Sequence, residues 1–321
     1  MNIYTDSKMR EDPRRQELYN GSLFVQSGFP GVSELCQLAR ELIEEAFRPL
    51  DPRTAQNTLP VEQCVEILAL LKPHFIHHPK AKECIQRILT ESGCDLEATY
   101  FDVPRLRTAF PGDYLSSGIA YAFHPHRDTW YSAPLSQLNW WLPVYEIHPD
   151  NCMAFHPRYW DEAVPNTSKD YNYYEWNRVN RKSAAQHVRT DTRVQPHAIE
   201  PLELNPQIRL LPAVGSAILF SGAQMHSTVP NSSGVTRFSI DFRTVNIADL
   251  REHRGAKNLD SASTGTTLHD YLRGSDLSHL PEDLVALYAD ETETDFVPSP
   301  VSLEELIQPN AAKTDAPSGV H

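Results

Sequence analysis

A mainly β domain with flanking helices is what this sequence predicts, on three observations. Helical periodicity is confined to the first third of the chain. From about Thr99 onward the pattern changes to short apolar runs punctuated by Pro, Gly, Ser and Asn, which suits strands. And 321 residues, two-fifths of them apolar, suffice for one enzyme-sized core.

Taken in order, Leu35, Leu38, Ala39, Leu42, Ile43, Ala46 and Phe47 fall three and four apart, predicting an amphipathic helix between Gly31 and Phe47 with Ser33 as its N-cap. A second helix is expected over Val61 to Leu71, with Pro60 ahead of it and Pro73 beyond its end, and a weaker third over Ala81 to Leu89. These make a helical part of about residues 31–98. "HFIHHP", from His74 to Pro79, reads as a loop rather than a metal site. In the β-rich core, about residues 99–250, "SQLNWWLPVYEI" and "RFSIDFRTVNI" are the clearest strands. Phe155 to Pro201 interrupts them with polar and aromatic residues, and a segment that long inside a domain is expected to be a lid or to carry helix of its own. One domain is expected over residues 1–290, followed by a poorly ordered tail at 291–321.

Composition excludes several classes. The first twenty residues contain no apolar core of the kind a secretory leader needs, and no run approaches a membrane span, so a soluble, cytoplasmic protein is expected. Five scattered cysteines lack the paired spacing of a zinc module or a disulfide framework. A net charge of −13 argues against nucleic acid as a partner. Nine carboxylates and no Lys or Arg between Asp276 and Glu305 describe a solvated region rather than an acidic site. Oligomeric state is not legible.

The chemistry is carried by "AFHPHRDTW", Ala122 to Trp130, where His126 and Asp128 are one residue apart. Two histidines and one carboxylate on one face hold non-haem iron(II) and leave positions open for cosubstrate and oxygen. On a strand, alternation would put His126 and Asp128 on the same side. The third ligand is then a distant histidine, and His226, after the apolar run "LLPAVGSAILFSGAQM", is the candidate. Eleven residues later Arg237, with Ser239 two further on, supplies a guanidinium suited to the far end of a dicarboxylate.

Through His126-x-Asp128, the Gly215 to Phe220 approach strand and the segment from His226 through Thr228, Asn231 and Ser233 to Arg237, the sequence resembles the iron(II)- and 2-oxoglutarate-dependent oxygenases. Within them it is most similar to the phytanoyl-CoA dioxygenase-like branch, over roughly Phe123 to Arg243. The resemblance implies a double-stranded β-helix (jelly roll, cupin-like), with His126, Asp128 and His226 as catalytic metal ligands for Fe(2+). It implies that Arg237 and Ser239 bind 2-oxoglutarate with help from Thr228, and that Phe123 packs on this cosubstrate. It further implies an oxidoreductase, a dioxygenase consuming O2 and hydroxylating or otherwise oxidising a small molecule. Asp128 stands where related halogenating enzymes have a small residue, which favours hydroxylation.

Side-chain parity is expected to turn Gln137 and Asn139 inward toward the cosubstrate, and Trp141 rather than Trp140 toward the pocket. Trp130 and Trp141, with Tyr173, Trp176 and Arg178 from the insertion, are the expected substrate contacts. The rival readings are an iron oxidase without 2-oxoglutarate and a catalytically silent jelly-roll binding protein. Arg237 and Ser239 count against the first, and the complete ligand set counts against the second.

Overall fold

A computed structural model describes residues 1–180, 183–188 and 190–289. The expected tail at 291–321 lies outside the described residues. The elements run β1 (Ile3–Thr5), α1 (Glu11–Tyr19), β2 (Leu23–Gln26), α2 (Pro30–Phe47), α3 (Val61–His77), α4 (Pro79–Glu91), β3 (Thr99–Phe101), β4 (Arg105–Ala109), β5 (Leu138–Pro143) and β6 (Met153–Phe155). They continue with α5 (Tyr173–Glu175), β7 (Ile208–Arg209), β8 (Ala217–Ser221), β9 (His226–Thr228), β10 (Arg237–Asn246), α6 (Ile247–Arg251), β11 (Leu272–Arg273) and α7 (Glu282–Ala286).

An eight-stranded sheet runs β1-β2-β8-β5-β10-β3-β11, with β4 also pairing to β10. β10 is long enough to hold β5 along one edge, Ser239 to Thr244, and β4 then β3 along the other. Alternation gives this sheet two faces. Trp140, Leu142, Leu219, Phe238, Ile240 and Phe242 join α2, α3 and α4 in the main hydrophobic core. Trp141, Ile218 and Phe220 point the other way and pack on Cys152 to Phe155, in and beside the three-stranded sheet β7-β6-β9. Helices, large sheet and small sheet thus form three layers, and the space between the sheets is where the candidate residues gather. Among the described residues no continuous strand pairing closes the two sheets into a barrel, so the implied jelly roll is present only as two facing sheets.

Several element boundaries differ from expectation for physical reasons. α2 starts one turn early, with Pro30 at its first position, where a missing N–H costs nothing; Ser33 lies inside the helix and caps nothing. α3 passes through Pro73 to His77, because its buried stripe of Cys64, Val65, Leu68, Leu71 and Phe75 continues across the proline. Packing outweighs one lost hydrogen bond there, and most of "HFIHHP" is helix. His78 caps α4 by accepting from the Lys80 N–H at 3.2 Å. α1, β1 and β2 were too short or too polar to signal themselves. No described helix is long and apolar enough to cross a membrane.

The insertion is neither a bare loop nor one helix. It is a series of short turns, Pro157–Trp160, Ser168–Asp170, α5 running into a π-turn at Trp176–Asn180, and Ala184–Gln186. Asp260 pins its start by accepting from the Val164 N–H at 2.9 Å and the Trp130 Nε1–H at 2.7 Å. Farther along, Ser117 Oγ donates to His187 O at 3.0 Å, and the Gly118 N–H donates to Asp191 at 3.0 Å.

Candidate metal centre

Two backbone devices bring the three candidate ligands together. His126 and His226 exchange N–H···O bonds, both 3.0 Å, as an isolated antiparallel bridge that extends the small sheet by one rung. The chain then turns at Asp128, whose N–H donates to Gly222 O at 2.8 Å, into a 3-10 turn over Asp128–Tyr131. Asp128 therefore reaches the site from a turn, and the expectation that one alternating strand presents both residues is corrected. The tight return at Gly222 leaves little room, since an added Cβ would lie 3.1 Å from Gln137 Nε2.

The donor atoms of His126, Asp128 and His226 all lie within 4.8 Å of one another, and all three residues are buried. His126 Nε2 is 3.4 Å and His226 Nε2 3.8 Å from Asp128 Oδ1. Each imidazole is held from behind, His126 Nδ1 at 2.7 Å from His124 O and His226 Nδ1 at 2.9 Å from Gln224 O. Donation from Nδ1 leaves the Nε2 lone pair facing inward, the arrangement of a metal-binding histidine. On Asp128 the division is equally clear. Oδ2 accepts from Gln137 Nε2 at 2.9 Å and Asn139 Nδ2 at 2.8 Å, while Oδ1 faces the histidines. Tyr271 OH donates to Gln137 Oε1 at 2.9 Å, fixing which end of that amide meets the carboxylate.

The charges favour a cation. Burial opposes ionisation of Asp128, but the adjoining His126 imidazole and the positive charge of Arg243 override it and hold the carboxyl well below its usual range. Burial, with His126 alongside, lowers His226 to about 4 and keeps it neutral at neutral pH. An anionic oxygen and two imidazole nitrogens with converging lone pairs form a 2-His-1-carboxylate set, which fits a divalent first-row ion.

Arg237 and Ser239 lie on the same face of β10 as Asp241 and Arg243, toward the small sheet. Arg237 is buried; its Nη1 donates to Asn151 O at 3.2 Å and Cys152 O at 3.1 Å, and its guanidinium lies 5.6 Å above the Trp141 ring. Its Nε and the fully buried Ser239 Oγ have no partner among the described residues. Burial lowers Arg237 to about 10, so it remains charged. Thr228 pairs with Met153 and His226 with Phe155, so β6 and β9 run from the metal ligands toward the carbonyl of Cys152 that holds Arg237. From Phe155 to Cys152 is three strand steps, roughly 10 Å, the span of a five-carbon dicarboxylate with a metal bond at one end and a hydrogen bond at the other.

Phe123 is partly exposed, 5.0 Å from the His126 ring. Gln137 and Asn139 face inward, but the partner of both amides is the Asp128 carboxylate, where a cosubstrate contact was expected. Trp141 shares their face, whereas Trp140 stacks on Phe242 in the helix-side core. Trp130 is sealed with Tyr159, Val164 and Met225 and donates to Asp260, which leaves it no substrate surface. Tyr173 is buried and donates to Asp270; Trp176 lies 5.8 Å from Tyr171; Arg178 is exposed.

Arg107 and Tyr271 were missed, and Arg243 contributes at Asp128. Arg243 sits 3.8 Å from Asp128 Oδ2 and 3.1 Å from Asp102, and Arg107 makes a two-point pair with Asp241. The alternation 237, 239, 241, 243 along β10 signalled Arg243; nothing in the sequence signalled Tyr271, which arrives from 134 residues beyond Gln137.

No family model and no curated protein matches this chain. Among solved structures it is similar to EvdO2 from Micromonospora carbonacea var. aurantiaca complexed with 2-oxoglutarate, at 12% identity and TM-score 0.43 over 77% of this chain and 94% of that one. It is also similar to the epimerase SnoN in complex with Fe3+, alpha ketoglutarate and nogalamycin RO, at 15% identity and TM-score 0.38 over 74% and 85% of the two chains. A third is the non-heme monooxygenase ThoJ, at 11% identity and TM-score 0.37 over 72% and 76%. At these scores the reading of the site rests on its own residues.

Proposed function

We propose that this protein is an iron(II)- and 2-oxoglutarate-dependent dioxygenase that hydroxylates, or otherwise oxidises, a small molecule. One observation carries the reading. Three inward donors suited to a divalent ion share an inter-sheet space with a buried arginine and serine whose Nε and Oγ are unpartnered. A silent binding protein has no need of the first, and an iron oxidase without 2-oxoglutarate has no need of the second. Spacing from His226 to Arg237 further supports the phytanoyl-CoA dioxygenase-like branch as the nearer kin.

His126, Asp128 and His226 would hold the iron, and Arg237 with Ser239 and Thr228 would hold the distal carboxylate. Bound there, ferrous iron and 2-oxoglutarate would supply oxygen activation coupled to decarboxylation to succinate. The chain's own work is orientation. Gln137 and Asn139 fix the rotation of Asp128, and Arg243 offsets part of its charge. Arg237 sets the direction of the dicarboxylate, and the insertion excludes water from the open side. The expected substrate contacts retained in this proposal are Trp141, Tyr173, Trp176 and Arg178.

Anaerobic titration with iron(II) and 2-oxoglutarate tests it. A weak visible charge-transfer band should grow to one equivalent of each, and be absent when either is withheld. Iron binding without the band would leave the oxidase reading in its place.

A further inference from the structure

Beside the candidate metal ligands stands a row of rings of which the proposed reaction has used only Trp176. Phe123 and Tyr131 lie 5.0 and 5.4 Å from the His126 ring. Tyr131 continues to Tyr171 of the insertion at 5.3 Å, and Tyr171 to Trp176 at 5.8 Å. Packing of the insertion onto the core would account for Tyr171, which is buried. It does not account for Phe123, Tyr131 and Trp176, which stay partly exposed along the row. The ends of the row are electrically balanced. Arg107 lies 5.3 Å above Phe123 and is paired to Asp241; Arg193 lies 5.1 Å above Trp176 and is paired to Asp191. Arginine already occupies a face of each end ring, so the wall is not a free cage for an organic cation. Both guanidinium groups have carboxylates, so neither is a vacant anion hook.

We propose that the substrate presents an uncharged planar ring, aromatic or conjugated, against Phe123, Tyr131 and Trp176, with its edge toward the metal site. This deepens the dioxygenase reading and rests on it for the word substrate; the wall itself does not. Aromatic pairs gain about 0.5–1.5 kcal/mol beyond the area they bury, roughly two- to tenfold in affinity for each contact. A saturated ring of the same skeleton gains area only.

The test uses 2-naphthol, decahydro-2-naphthol and 2-naphthoate, titrated into the metal-free full chain by ligand-observed NMR. The expected result is that 2-naphthol binds at least threefold more tightly than either of the others. Tyr131→Leu and Trp176→Leu should each weaken it threefold or more, with Tyr131→Phe retaining most of the affinity. No binding of 2-naphthol, equal affinity for the saturated ring, preference for the carboxylate, or indifference to both leucine variants would overturn the proposal. Mn(II) and 2-oxoglutarate are titrated into the same preparation. If they fail to bind while 2-naphthol binds through Tyr131, the dioxygenase reading falls and the planar-ring site stands; the opposite pattern removes the site and leaves the enzyme.

Discussion

At Arg237 a buried guanidinium meets two backbone carbonyls and a tryptophan face, and its Nε meets nothing in the described chain. Such a donor is costly to bury unless an acceptor arrives, and a ligand carboxylate would satisfy it together with Ser239 Oγ. Arg237→Ala should therefore leave Mn(II) affinity nearly unchanged, measured by calorimetry, and weaken 2-oxoglutarate by about 1.5–3 kcal/mol, roughly ten- to hundredfold. Arg237→Lys should recover only part, because an ammonium cannot reproduce the planar fork. Unaltered 2-oxoglutarate affinity in Arg237→Ala would move the anchor elsewhere, with Arg243 next in line. The convergence of His126, Asp128 and His226 was legible in the sequence because few residue types suit a metal and their spacing is restrictive, and Arg237 was legible as a guanidinium on the inward face of its strand. Gln137 and Asn139 were legible only as inward-facing. Alternation along a strand tells which face a side chain takes, but not that its partner will be Asp128.

Elements were legible in proportion to the length of their pattern. α2, with its long amphipathic stripe, and β10, whose residues alternate polar and apolar from Arg237 to Arg243, stand within a turn of where the sequence puts them. β1, β6, β7 and β9 are three residues or fewer, and they exist because neighbouring strands complete their hydrogen bonds, which no local pattern encodes. Pro73 misled for the opposite reason, a strong local signal overridden by packing along α3. The insertion is made of short turns tied through Asp260, Asp191, Ser117 and Thr264, with Tyr171, Tyr173 and Tyr174 buried. Its stretch Trp176–Asn180 buries no residue. Segments with few buried apolar contacts open at low free energy, which suits gating of an active site. Hydrogen exchange should show residues 176–180 exchanging quickly in the metal-free chain. Mn(II), 2-oxoglutarate and 2-naphthol together should slow them, while β5 and β10 stay protected throughout. Full protection of 176–180 without ligands would remove the gate.

For the whole molecule, a β-rich core flanked by helices followed from composition order, helices first and strands after, whereas the gap between two sheets did not. That gap depends on which face of each strand meets helices and which meets the small sheet, a property of pairings far apart in sequence. Two of the buried histidines, His226 in that gap and His156 beside Ser227, are each lowered to about 4 by burial. The sign follows from linkage. Both are neutral in the folded chain, while in the unfolded chain they take up protons below about pH 6.5. Stability present above that value is lost progressively as pH falls toward 4, because the unfolded state then binds more protons. Melting of the metal-free protein should therefore move to lower temperature between pH 7 and pH 4.5, by an amount on the order of a few kcal/mol in total. Mn(II) should raise the melting temperature at pH 7, since it binds only the folded chain. That increment should fade in the same acid window, as protons compete for the ligands. His226→Gln should flatten part of the acid slope and abolish the manganese increment together. His156→Gln should flatten the slope while keeping the increment, which separates the two histidines. A melting temperature independent of pH from 7 to 4.5 in the metal-free chain would mean that neither imidazole is held neutral by burial.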